Sequence, residues 1–67
     1  MGKMEQTLQE ELHRLKQLTG LGQGLDAVWM PRPDHALSGE VRGHTIIIYE
    51  VDAAQALRTL RHEFLDY

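Results

Sequence analysis

At 67 residues, with no cysteine and a net charge of −3, the chain is one small domain with neither disulfides nor thiolate metal ligands to support it. A fold of this size buries only about 60% of the surface its unfolded chain exposes, so packing, self-association or a metal held by histidine and carboxylate must carry its stability. The mild acidity and the lack of a basic stripe argue against nucleic-acid binding, and the longest apolar run, Thr45 to Tyr49, is too short for a bilayer span.

The N-terminus is charged throughout and has no secretory core, so a cytoplasmic location is expected. Met4, Leu8, Leu12, Leu15 and Leu18 recur every third or fourth residue, which predicts an amphipathic helix over Lys3 to Leu18. Glu10 and Arg14 are spaced for an ion pair one turn apart, and Gly20 is placed to stop the helix in the left-handed conformation. The leucine stripe is read as core-facing; it is too short for a sustained coiled-coil seam.

"GLGQG" follows a helix and precedes a strand, the reverse of the phosphate-binding order, and is read as a flexible connection. "LDAVWM" predicts a strand ended by "PRP", with Trp29 in the core or at an interface. "DHALSGEVRGHTIIIYEV" predicts a hairpin with arms Leu37 to Val41 and His44 to Val51 around an Arg42-Gly43 turn. In the second arm Ile46, Ile48 and Glu50 share one face and Thr45, Ile47, Tyr49 and Val51 the other. Both faces are largely apolar, which suggests a strand covered on both sides. Asp52 stands at the N-cap position of a last helix, whose stripe is Ala53, Leu57, Leu60 and Phe64. The order helix, strand, hairpin, helix implies an α+β fold: a small, mainly antiparallel sheet of about three strands packed with an N-terminal and a C-terminal helix.

Candidate chemistry lies on that last helix. At about 100° per residue, His62 and Asp66 fall together on the side opposite the apolar stripe, one turn apart. An imidazole and a carboxylate so spaced can share a divalent cation, zinc being the natural candidate, and Glu63 beside them could polarise a bound water.

"TLRHEF" running into "LDY", after a strand like "HTIIIYEV", resembles the core of zincin metallopeptidases of the minimal gluzincin type. The pattern of elements spans roughly Leu25 to Tyr67, with about eight specific residues. The resemblance implies a helix on a small sheet, His62 as first zinc ligand, Glu63 as the general base, and the "HTIIIYEV" strand as the edge that receives a peptide. Asp66 stands where the family has its second histidine, and the further helix that supplies a third ligand does not follow Tyr67. His35, His44 and Glu40 are the residues of the hairpin region that could reach in. The expectation is a zincin-like, metallopeptidase-related domain with an incomplete catalytic set, either shortened or retaining the scaffold without the chemistry.

Two other readings stand beside it. One is a non-catalytic protein-interaction or homo-oligomerisation module, whose edge strand or helices pair with another chain. The other takes His62, Glu63 and Asp66 as the solvated face of an ordinary helix. A pH sensor built on the four histidines ranks below both, because no two of them are one helical turn apart.

Overall fold

The leucine repeat winds Lys3–Thr19 into helix α1 of a computed structural model that describes residues 2–67. Leu8, Leu12 and Leu15 are buried, whereas Leu18, expected on the same stripe, is 69% exposed. The reason is length: a helix of 17 residues runs about 25 Å, while the four-residue strands beneath it run about 13 Å, so its last turn overshoots the sheet. Gly20, at φ 68°, closes the helix, and its N–H donates to Lys16 O at 2.8 Å.

Strands β1 (Asp26–Trp29), β2 (Gly39–Arg42) and β3 (Thr45–Ile48) form one sheet in the order β1-β3-β2. β2 and β3 are antiparallel, but β1 runs parallel to β3, so the sheet is mixed. The segment between β1 and β2 crosses the end of β3: Arg32 N–H donates to Tyr49 O and Tyr49 N–H to Ser38 O. β3 is therefore the central strand. Its backbone groups are taken on both sides, so it cannot be the edge that receives a peptide.

The hairpin is shorter than its sequence suggested, and its turn lies one residue later, at Gly43 and His44. Gly43 takes φ 60°, which the first central residue of a II′-type turn requires and which arginine would resist. Ile46 and Ile48 face the helices and have no exposure, as the alternation predicted. Among the described residues the opposite face carries no helix, so Thr45 and Ile47 are only half-buried and β3 is not covered on both sides.

Asp52 caps α2 (Ala53–Asp66) by accepting from Gln55 N–H at 3.1 Å. Its buried stripe is Ala56, Leu60 and Phe64, with Leu57 at the margin and Ala53 exposed. The inward direction is therefore set from the second turn of the helix onward. Both helices pack on the same sheet face, around Leu8, Leu12, Ile46, Ile48 and Leu60. Each such side chain contributes about 1.5–3 kcal/mol. Among the described residues no helix is long and apolar enough to cross a membrane.

One polar contact ties the helices together. Glu11, not Glu10, pairs with Arg14, accepting from its Nε at 2.9 Å and Nη2 at 2.8 Å, and it also accepts from Arg61 Nε of α2 at 2.7 Å. A spacing of three rather than four lets one carboxylate serve both guanidinium groups. The hydrogen bonds from Arg14 lead, partial burial opposes them and Arg61 adds to them, holding the Glu11 carboxyl down at about 2. A depressed folded-state value means that the unfolded chain binds more protons between about 2 and its ordinary 4.5, so this stability is complete above 4.5 and is lost as pH falls toward 2. Because both arginines are half-exposed, the contact is worth roughly 1–2 kcal/mol. Urea titrations should find Glu11→Gln less stable by about that amount at pH 7, with a flatter stability profile between 4.5 and 2 than the parent.

Candidate functional site

The position of α2 is set by a glycine. A Cβ on Gly39 of β2 would stand 2.6 Å from Thr59 Cγ2 and 2.9 Å from Ile47 O, so the absence of a side chain there lets the helix settle onto the strand. On its other flank α2 meets α1 through Arg61 and Glu11. With Thr59 over β2, a turn of about 100° per residue puts Asp66 about 20° and His62 about 60° further outward, on the flank that overhangs the free edge of β2. Their side chains are 64% and 70% exposed, and Glu63, rotated toward the sheet, is half-buried.

His62 Nε2 and Asp66 Oδ2 lie 3.1 Å apart, and one ligand atom from each of His62, Glu63 and Asp66 falls within 4.8 Å of the others. Donor atoms around tetrahedral zinc are roughly 3.4 Å apart, so the three side chains would have to draw closer to share one ion. The donor types, one imidazole and two carboxylates, suit zinc. All three come from one helix, and the outer side of the cluster is open to solvent.

None of the hairpin residues joins it. His44 Nδ1 shares a hydrogen bond of 2.9 Å with the Tyr67 hydroxyl, tying the turn to the end of α2. His35 stacks on the Tyr49 ring, with centroids 3.8 Å apart and planes 12° from parallel, and its Nδ1 accepts from Leu37 N–H. Glu40 accepts from the Tyr49 hydroxyl and lies 3.4 Å from Arg42 Nε. Trp29 is half-buried against the core, as its size suggested, and donates from Nε1 to Glu50 O at 2.7 Å. A cleft of about 300 Å³ lies between the Arg32 to Ser38 segment and Tyr49 to Asp52, at the start of α2 and roughly 15 Å along the helix from the cluster. The peptide-receiving edge expected at β3 is not available beside His62 and Asp66, because both β3 edges are occupied and the two residues face outward.

The His35, Tyr49 and Glu40 arrangement had no signal in spacing alone. Tyr49 and Glu40 share the outer face and become diagonal neighbours only in the register Glu40 to Ile47, which depends on the turn being Gly43-His44. Searches against family models, curated proteins and solved structures find no match to the chain.

The hydrogen bond to Glu40 pushes the Tyr49 phenol above its ordinary value, with burial and the carboxylate charge adding to it, and the same bond, aided by Arg42, holds the Glu40 carboxyl low. A spectrophotometric titration of phenolate should show Tyr49 ionising above pH 10, and Glu40→Gln should bring it back toward that value.

Proposed function

We propose that the chain is a zincin-like, metallopeptidase-related domain that binds a divalent cation, zinc first, on α2 and has an incomplete hydrolytic site. What supports the reading is the convergence of His62, Glu63 and Asp66 to within 4.8 Å of one another on one exposed helix flank. His62 and Asp66 are the primary metal ligands. Glu63, the general base of the resembled pattern, lies close enough to be the third donor. In that role it is not free to take a proton from water, and peptide hydrolysis is not expected of this chain alone. A catalytic zinc site usually has three protein ligands and one position open to substrate within a cleft, whereas this cluster is bordered by solvent.

A second reading is a non-catalytic interaction or homo-oligomerisation module. The observation that favours it is the sheet's edges: α1 closes β1, since Gln9 Nε2 donates to Ala27 O at 2.7 Å and Lys16 Nζ to Leu25 O at 2.6 Å. Among the described residues no side chain does the same for β2. A peptide partner, if one binds by strand addition, would pair with β2 rather than with Thr45 to Val51.

Calorimetric titration of the chelator-stripped protein with zinc tests the first reading. Binding on the order of micromolar, abolished in His62→Ala and strengthened in Asp66→His, is the expected result. No binding, or binding indifferent to His62, would leave the cluster as the solvated face of a structural helix.

A further inference from the structure

We infer that the free edge of β2 is a self-complementary interface through which a second copy of this chain adds to the sheet. The inference deepens the interaction reading by naming the partner, and it is independent of any metal on α2.

The argument begins with the backbone. Tyr49 N–H donates to Ser38 O, so in the β2–β3 ladder the even-numbered residues of the first arm turn their N–H and C=O toward β3. Those of Gly39 and Val41 therefore point away from the sheet. No side chain among the described residues meets them, whereas the outward carbonyls of Leu25 and Ala27 at the opposite edge are both capped by α1. β2 has no proline and no bulge to block pairing; it is short and carries the charges Glu40 and Arg42, which discourage indiscriminate pairing and leave room for a partner with matching charges.

Side chains then select the occupant and the register. Glu40 and Arg42 stand on the outer face, two residues apart, and Val41 between them faces the core. An antiparallel copy centred on Val41 sets Val41 against the partner's Val41, with their free backbone groups exchanged. It sets Glu40 against the partner's Arg42, and Arg42 against the partner's Glu40. Those mixed pairs are the non-hydrogen-bonded ones, in which facing side chains approach most closely. A register centred on Glu40 would put two carboxylates together, so the same charges that favour one alignment disfavour its neighbour. The half-buried Val41 pair continues the apolar layer from one copy into the next, and three strands become six. The two-fold symmetry makes the interface isologous and closed. It also turns the His62 and Asp66 flank of α2 toward the same flank of the partner.

The test is sedimentation equilibrium in chelator-containing buffer, with circular dichroism to confirm folding. The parent chain should dimerise. Glu40→Arg and Arg42→Glu should each weaken self-association by about tenfold or more, because each substitution creates like-charge pairs across the two-fold. Mixing the two variants should restore association, since each then meets its complement, and the double exchange E40R/R42E should dimerise by itself. A parent chain that stays monomeric up to about 1 mM overturns self-association altogether. A dimer indifferent to the variants, or a mixture that fails to recover, overturns this interface while leaving some other self-association in place.

Discussion

The fold depends on the confinement of one short strand. β3 is paired on both sides, and its inward residues Ile46 and Ile48 are sealed beneath two helices. With no exposure at either isoleucine, α1 and α2 must share a single sheet face, and the other face is left to Thr45, Ile47 and the stacked His35 and Tyr49. The crossing segment from Arg32 to Ser38 follows from the same constraint. A chain that places β1 and β2 on opposite sides of β3 has to pass the end of β3, and the backbone bonds at Tyr49 hold it there.

That arrangement also governs the electrostatics. α1 and α2 lie side by side, so Glu11 can accept from an arginine of each. Among the described residues no polar or charged residue is fully buried, and the domain carries no desolvated ion pair that would have to recover the cost of burial. Its charged contacts lie at margins: between the helices, along the outer face at Glu40 and Arg42, and on the free flank of α2. Contacts of this kind orient and align surfaces more than they stabilise them. The apolar layer supplies stability and these contacts supply direction.

The two functional readings meet on one side of the molecule. Thr59 against Gly39 sets α2 over β2, which carries His62 and Asp66 out above the strand edge that α1 leaves open. The proposed cation site on the flank and the proposed strand-pairing edge are thus neighbours on one surface. The architecture does not choose between the two readings, because chemistry resides in the site and not in the fold. Here the side of α2 that carries the candidate ligands is open, and the cleft near Tyr49 holds none of His62, Glu63 and Asp66.

What the sequence determined by itself was local. The helical period of Leu8, Leu12 and Leu15, the Asp52 cap, the Gly20 stop and the alternation of Ile46 and Ile48 are consequences of backbone geometry within a few residues, and each is found where the pattern put it. The pairing of His62 with Asp66 belongs to the same class, since one helical turn brings them together whatever the helix packs on. What only the tertiary structure decided was everything that depends on contact between distant segments. The parallel alignment of β1 with β3, the exposure of Leu18 and Ala53, the choice of Glu11 over Glu10 and the meeting of Tyr49 with Glu40 are of this kind. So is the separation of the α2 cluster from the cleft. Strand order and register are set by which surfaces are buried together, and a period of two or of 3.6 says which face a residue takes but not what that face will meet.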